Sequence, residues 1–249
     1  MISKYFESLK GKNILITGSS SDIGIILIKE LLQFDMKIGA HYFTNASILE
    51  QFKEDIIPLQ GNLSSREQCN DVVDSFIDQA GSIDFFVHLA GNIKKPVHWE
   101  QVSSEDWYSD IDTNLSSAFF LSQKVSASLK SKGGKMIFIS TASASHGGGS
   151  MTLPYGIAKA GIECMTKGLG RDLAVHNVLV NCISPGFIDT KFHVKAGKSE
   201  DDIKRRVELI PLKRAGTPED VVGAIMYLLS DSGNYITGEI LTISGGDWL

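Results

Sequence analysis

Short, near-continuous apolar runs recur along the chain: Asn13–Gly18 (NILITG), Lys37–Tyr42 (KIGAHY), Phe85–Gly91 (FFVHLAG), Lys135–Ser140 (KMIFIS), Val178–Ser184 (VLVNCIS) and Glu239–Ser244 (EILTIS). Ile56–Gln60 (IIPLQ) is a weaker seventh. Runs this short and uniformly apolar suit strands covered on both faces, as in a parallel sheet. Amphipathic stretches lie between them at Ile23–Phe34, Ser103–Leu129, Pro154–Ala174 and Pro218–Ser230. The second opens with Ser103 and Asp106 at capping-box spacing, and the third puts Ile162, Met165, Leu169 and Leu173 on one face. Strand and helix patterns in alternation predict an α/β fold, a doubly wound parallel sheet of about seven strands with helices on both faces. No linker, repeat or low-complexity tract breaks the pattern, so a single domain is expected over residues 1–249.

Composition narrows the classes. A hydrophobic fraction of 43% with 21% charged residues is the balance of a soluble globular chain with a sizeable core. The net charge of −5 argues against a nucleic-acid or anionic-membrane surface, either of which calls for a basic excess. The uncharged run Met136–Ala158 is long enough for a membrane span, but its middle is Ser, Thr and Gly. Cys69, Cys164 and Cys182 lack paired spacing and read as reduced core thiols of a cytosolic protein, with no metal site. Glu7, Lys10 and Lys12 interrupt any apolar stretch at the N-terminus, so no signal peptide is expected.

Two stretches carry candidate chemistry. In ILITGSSSDIGIILIKELL, Gly18 ends a strand and Gly24 falls in the first turn of a helix, with Thr17, Ser19, Ser20 and Ser21 in the turn. Such a unit offers free backbone N–H groups and a helix N-terminus to a pyrophosphate, although an ordinary βα turn has the same outline. In ISTASASHGGGSMTLPYGIAK, Tyr155 and Lys159 are four apart on a helix and share a face. An ammonium beside a phenol favours the phenolate, and a second cation in the site would add to that. Lowering a Tyr pKa by about 3 units takes about 4 kcal/mol, which two nearby cations can supply. Asn114 falls in the otherwise apolar row Trp107, Ile111, Ala118, where a buried amide needs partners.

These motifs resemble those of the short-chain dehydrogenase/reductase family in order and spacing over almost the whole chain. TGSSSDIG resembles its TGxxxGxG loop, HLAG (His88–Gly91) its Asn-Asn-Ala-Gly turn, DTNL its helix Asn, and Tyr155 and Lys159 its YxxxK pair. SPGFIDT (Ser184–Thr190), IPLKRAGTPEDV and YITGEILTISGGDW resemble its later segments. Three positions depart: Asp22 replaces a loop Gly, His88-Leu89 replaces Asn-Asn, and Asn62 stands where an Asp often contacts adenine. Asp22 directly precedes the helix and is expected to cap it, pointing away from phosphates.

The resemblance implies a nicotinamide-dependent enzyme interconverting a carbonyl and an alcohol. Tyr155 would be the general acid/base, Lys159 would also hold the nicotinamide ribose, and Asn114 would hold a water leading from Lys159 to solvent. It further implies cofactor contacts at Gly18, Ser20, Ser21, Asp22, Ile23, Gly24, Tyr42, Asn62, Leu63, Ala90, Gly91, Pro185, Gly186, Ile188 and Thr190. A Ser roughly thirteen residues before the Tyr would fall on Ala142, which has no hydroxyl. Counting about twenty-seven residues from Asn114 reaches Thr141, and Gly147–Gly149 can absorb the extra residue. Thr141 is therefore the candidate oxyanion donor, with Ser143 the alternative and Ser140 facing away.

Residues 187–212 are expected to form a flexible substrate lid containing Phe192, His193, Lys195 and Lys198, with His146 and Trp99 as further candidate pocket residues. The family embraces reductases of 3-oxoacyl thioesters, steroids, sugars and small ketones, and the first or last is favoured here. No Asp or Glu occurs from Met36 through Leu49, so the carboxylate that excludes a 2′-phosphate is missing. No Arg replaces it, and Ser21, His41, Thr44 and Asn45 are left as neutral donors. The expectation is NADP(H) over NAD(H), modestly. The family also implies a homotetramer or dimer. A non-catalytic dinucleotide sensor with the same fold, or a structural subunit, is the competing reading.

Overall fold

The computed structural model describes residues 4–192 and 199–247. Seven strands form one sheet: β1 (Asn13–Thr17), β2 (Lys37–Tyr42), β3 (Ile56–Gln60), β4 (Phe85–His88), β5 (Gly134–Ile139), β6 (Val178–Pro185) and β7 (Ile240–Ile243). They lie in the order β3-β2-β1-β4-β5-β6-β7, and every neighbouring pair is parallel. The chain reverses its direction of travel across the sheet between β1 and β4. Crevices for ligands open at such reversal points, at the carboxyl ends of the strands.

Alternation along each strand splits the core in two. Ile14, Ile16, Val87, Ile137 and Ile183 face helices α1 (Asp22–Leu31) and α7 (Pro218–Leu229). Leu15, Phe86, Phe138 and Cys182 face α2 (Arg66–Ala80), α4 (Ser117–Leu129) and α5 (Leu153–Leu173). Phe76, Phe86 and Phe138 are fully buried, and burial of each such side chain stabilises by roughly 1.5–3 kcal/mol. Gly39 is needed beneath the first: a Cβ there would lie 2.5 Å from the Phe76 ring.

Three features differ from the sequence pattern. Helix α2 was not among the amphipathic stretches, although Cys69, Val72, Val73, Phe76 and Ala80 recur at helical spacing and Ser65 caps it. The stretch from Ser103 to Leu129 is not one regular helix. It runs as α3 (Ser104–Ile111), a π turn (Asp112–Ser116) and α4, with Ser103 accepting from the Asp106 N–H at 3.0 Å. Third, the segment expected to be a flexible lid contains helix α6 (Glu200–Leu209), held by a reciprocal capping box between Ser199 and Asp202. His193, Lys195 and Lys198 lie outside the described residues. Among the described residues, no helix is long and apolar enough to cross a membrane.

Candidate active site

A cleft of about 840 Å³ opens over the carboxyl ends of β1, β4, β5 and β6. Its nucleotide end is built on the β1–α1 turn. Gly18 has φ +68°, and a Cβ there would sit 2.7 Å from the Ala90 backbone nitrogen, so the turn and the β4 end touch as only glycine allows. Gly24 packs on Ser19 just as tightly, with 2.6 Å between an added Cβ and the Ser19 carbonyl oxygen. Ser20, Ser21, Asp22 and Ile23 line the cleft. The first N–H groups of a helix have no acceptor within it, so those of Asp22 and Ile23 are the donors this chain presents to an anion.

Two expectations about this turn need correction. The helix cap is Ser21, whose Oγ accepts from the Gly24 N–H at 3.1 Å. Asp22 does not cap; its Oδ2 accepts the backbone N–H of Lys191 at 2.8 Å. Nor is His41 a free donor. It is 3% exposed, its Nδ1 accepts from the Gly18 N–H at 3.3 Å, and its Nε2 lies 3.1 Å from the Gly61 carbonyl. Those partners require the neutral ring protonated on Nε2, and burial pulls its pKa down to about 4.

His88, in the place of an Asn, is a second neutral imidazole. Its Nδ1 is 2.8 Å from Thr17 Oγ1 and its Nε2 3.4 Å from Ser117 Oγ. The Ser117 hydroxyl donates to the Thr113 carbonyl, so Nε2 carries the ring proton and Thr17 donates to Nδ1. Burial, helped by the Lys159 charge, lowers its pKa to about 3. The ring thus ties β1 and β4 to the π turn, and the Ala90 N–H reaches the same Thr17 hydroxyl at 3.4 Å.

Three residues expected at the adenine end, Tyr42, Asn62 and Leu63, are not in the cleft lining. Tyr42 ends β2 and packs on the α1 face of the core. Leu63 is buried in the opposite core. Asn62 is exposed, and its side-chain oxygen accepts from the Ser64 N–H at 3.2 Å. Asn45 and Ile48 line the cleft on this side. Gly91, Pro185, Gly186, Ile188 and Thr190 line it as expected.

The reacting end gathers Thr141, Ser143, Tyr155 and Lys159 in the cleft wall. Pro154 in the first turn of α5 starts the helix that carries Tyr155 and Lys159 one turn apart. The Lys159 ammonium is 5.5 Å from the Tyr155 ring centroid and donates to the Ile139 carbonyl at 2.9 Å. It is 3% exposed, and burial draws its pKa down to about 8.

The phenol moves opposite to the expected direction. Burial, then the Asp110 carboxylate, push the Tyr155 pKa above its usual value. Its side chain is only partly covered, so solvent in the cleft moderates the rise; the direction follows from the surroundings. The Lys159 charge is spent on a backbone carbonyl and on the ring face, and does not offset that burial. Phe192 stacks nearby, its ring centroid 5.8 Å from that of Tyr155.

Thr141 Oγ1 and Ser143 Oγ are 3.1 Å apart and hydrogen-bonded, so both candidate hydroxyls belong to one cluster. Thr141 keeps extended backbone at φ −154° after β5, and Ser140, although it also borders the cleft, turns its hydroxyl to α5. The Ser140 hydroxyl is buried and reaches Glu163 Oε1 at 2.7 Å and the Lys159 carbonyl at 3.2 Å.

Asn114 is fully buried in the π turn. Its Nδ2 donates to the carbonyls of Asn92 at 2.7 Å and Asp110 at 2.8 Å, and its Oδ1 accepts the Asn92 N–H at 3.1 Å. The amide therefore positions backbone at the cleft wall. A Cβ on Gly91 would meet Asn114 Oδ1 at 2.8 Å and Lys159 Nζ at 3.2 Å, so Gly91 separates the two groups.

Residues that sequence reasoning missed include Asn92, Ile93, Pro96 and Met151, all in the cleft wall. They sit in loops whose composition carries no periodic signal. Among the described residues, neither His146 nor Trp99 lines the cleft, and no three His, Cys, Asp or Glu side chains are grouped to hold a metal ion.

A parallel sheet with a glycine turn at its reversal point and a Tyr–Lys pair on the helix after β5 defines a dinucleotide-dependent oxidoreductase. The comparisons agree. The family model described as enoyl-(acyl carrier protein) reductase matches residues 19–247. The chain is 32% identical to the 3-oxoacyl-[acyl-carrier-protein] reductase FabG of Chlamydia pneumoniae over 96% of this chain and 98% of that one. It is 32% identical to the FabG of Thermotoga maritima over the same shares, and 29% identical to a 3alpha-hydroxysteroid dehydrogenase of Mediterraneibacter gnavus over 96% and 98%. A short-chain type dehydrogenase/reductase of Mycobacterium ulcerans shares the fold at TM-score 0.88 and 23% identity, over 95% of this chain and 90% of that one. The chain belongs to the short-chain dehydrogenase/reductase family. It is an NAD(P)-dependent oxidoreductase of carbonyl and alcohol groups.

Proposed function

We propose that this chain reduces a carbonyl on a 3-oxoacyl thioester or a small ketone, with Tyr155 as general acid. The observation that carries this is the convergence of Tyr155, Lys159 and the Thr141–Ser143 pair in one wall of the cleft whose far end is the glycine turn. A bound nicotinamide cofactor supplies the hydride. The residues present suit such a group: Gly18 lets the turn close onto the Ala90 backbone, and Asp22 and Ile23, whose N–H groups have no acceptor within the helix, line the cleft. Lys159 would hold the ribose, and Pro185, Gly186, Ile188 and Thr190 would border the nicotinamide side.

In this reading Thr141 Oγ1 donates to the carbonyl oxygen as charge develops, and Ser143 orients that hydroxyl by donating its own proton to Thr141 Oγ1. Tyr155 passes its proton to the same oxygen. Burial and Asp110 keep the phenol in the protonated form a general acid needs, and because they also make it a weaker acid, its proton leaves only as negative charge develops on the carbonyl oxygen. The Lys159 ammonium compensates the phenolate left behind. Asn114 fixes the Asn92 and Asp110 backbone that forms the wall beside Lys159.

The carbonyl's substituents would rest on Ile93, Pro96, Met151 and Phe192, an apolar surface suited to an acyl chain. Residues 187–212 act as the lid, and the whole chain works as one catalytic unit in the cytosol. NADP(H) is preferred, because β2 ends without a carboxylate and Asn45 borders the cleft there. Exposed Trp107, Tyr108 and Phe119 on α3 and α4, with Ile157 on α5, support self-association into a tetramer or dimer.

Following oxidation of NADPH and of NADH with acetoacetyl thioesters and a ketone panel tests the proposal. Turnover is expected, faster with NADPH. Tight cofactor binding with no turnover of any carbonyl would instead favour a sensor. NADH bound at least tenfold more tightly than NADPH, about 1.4 kcal/mol, would overturn the cofactor preference.

A further inference from the structure

The carboxylate that stands in the glycine turn has found a partner 169 residues away in sequence: Asp22 Oδ2 accepts the Lys191 backbone N–H at 2.8 Å. We propose that Asp22 is a latch that fastens the start of the lid to the nucleotide turn, and that its opening limits how fast the nucleotide enters and leaves. The claim about exchange rests on the cofactor reading above.

Three observations carry it. First, Asp22, Thr190 and Lys191 line the main cleft and also a second, more open pocket, where they are joined by Ile25, Ile26, Ile48, Asp189 and Pro218. The bond between Asp22 and Lys191 therefore joins residues that border both spaces. Second, the root of the lid is already fixed. Ile188 bridges Gly216 in parallel fashion, the Asp189 N–H donates to the Gly216 carbonyl at 2.8 Å, and the Gly216 N–H to the Phe187 carbonyl at 2.9 Å. Asp22 extends that fixed root by a further anchor, across the cleft mouth and onto α1. Third, the opposite end of the lid has its own tie, the ion pair between Arg206 of α6 and the buried Asp247. The described parts of the lid on either side of residues 193–198 thus each have a tie, and the Asp22 tie is the one that stands on the nucleotide turn.

A carboxylate here has a second effect, repulsion of a pyrophosphate. The two effects predict opposite signs. Removing a latch speeds nucleotide release; removing a repulsion slows it. Asp22→Asn removes the charge and keeps an oxygen to accept the Lys191 N–H, whereas Asp22→Ala removes both.

The test uses the whole protein and two readouts. Release of NADPH, and of NADH, is followed by fluorescence after mixing with excess oxidised cofactor. Asp22→Ala is expected to release nucleotide about three- to tenfold faster, the factor for losing one hydrogen bond of ordinary net strength at a solvent-exposed site. Asp22→Asn should stay nearer the parent. Hydrogen exchange at the Lys191 amide, measured without nucleotide, should quicken by a similar factor in Asp22→Ala and less in Asp22→Asn. Release that is unchanged or slower in Asp22→Ala overturns the latch in favour of repulsion. An unchanged Lys191 exchange rate overturns it whether or not any nucleotide binds. If the parent binds neither cofactor while Lys191 still loses protection in Asp22→Ala, the cofactor reading and the exchange role both fall, and only the clasp between lid and turn is supported.

Discussion

Truncating Asn114 to alanine removes three hydrogen bonds at a fully buried position, and their partners differ in what replaces them. Asn92 is exposed, so water can reach its N–H and carbonyl, and each lost bond there costs the ordinary net value near 1 kcal/mol. The Asp110 carbonyl lies inside the helix next to the π turn, and losing the buried Asn114 donor there costs about 1–3 kcal/mol. Allowing for relaxation of the exposed Asn92 loop, the sum is about 2–4 kcal/mol. For a chain of this length each kcal/mol moves the midpoint by about 2–4 °C, so Asn114→Ala should melt about 4–16 °C lower. Thermal unfolding followed by near-ultraviolet circular dichroism measures it. Asn114→Asp is the informative companion. It keeps an acceptor for the Asn92 N–H but turns carboxylate oxygens toward two carbonyls, and should be no more stable than the alanine variant. A midpoint lowered by less than about 1 °C, with turnover nonetheless abolished, would refute the argument. The amide would then serve the reaction and not the wall.

Tyr155→Phe should abolish turnover and leave cofactor affinity nearly intact, because the hydroxyl is assigned only to proton transfer; near-parental kcat would remove Tyr155 from the mechanism. Lys159→Ala should lose both rate and nucleotide affinity, read by kinetics and by cofactor titration. Thr141→Val should lower kcat by roughly 10²-fold or more, as removal of an oxyanion donor does, with Ser143→Ala milder; the reverse order would move the role to Ser143. The buried imidazoles make the fold acid-sensitive. With native pKa values of about 4 for His41 and about 3 for His88, the unfolded chain takes up protons below about pH 6.5 that the native state refuses. Stability therefore falls as pH falls from about 6.5 toward 4 and then 3, by up to about 1.4 kcal/mol per pH unit for each ring. Urea unfolding across pH 4–7, approximate bounds set by those pKa values, should show a shallower fall in His88→Asn. An identical slope in parent and variant would show that His88 is not buried neutral.

The strands were legible because burial on both faces leaves few polar residues in them; β2 and β3 begin and end where the apolar runs do. Helix α2 was hidden because Glu67, Asp71, Asp74 and Asp78 interleave its buried face and lower its mean hydropathy. The Tyr–Lys pair was legible from spacing within one helix. Its electrostatics were not, since the rise of the Tyr155 pKa depends on burial and on Asp110, 45 residues away in sequence. The roles of Asp22 and His41 were misjudged for a related reason. Each bonds to a backbone group distant in sequence, Lys191 for one and Gly61 for the other, and residue type alone does not reveal such a partner. Asn114 was found as an amide in an apolar row, but its hydrogen bonds depend on the π turn, for which the row has no marker.

That π turn makes chain length a variable of the site. In Asp112–Ser116 the Ser117 N–H reaches back five residues to the Asp112 carbonyl instead of four, so the helix carries one residue more than a regular α path needs. Deleting any one residue between Asp112 and Ser116 would restore an unbroken α-helical path with good local hydrogen bonding. It would also turn everything on one side by about 100° relative to the other. Asn114 would swing off the Asn92 loop, and Ser117 would leave His88. In this segment an insertion or deletion is therefore a graver change than most substitutions, and a relative of different length between α3 and α4 should have rebuilt the wall behind its lysine.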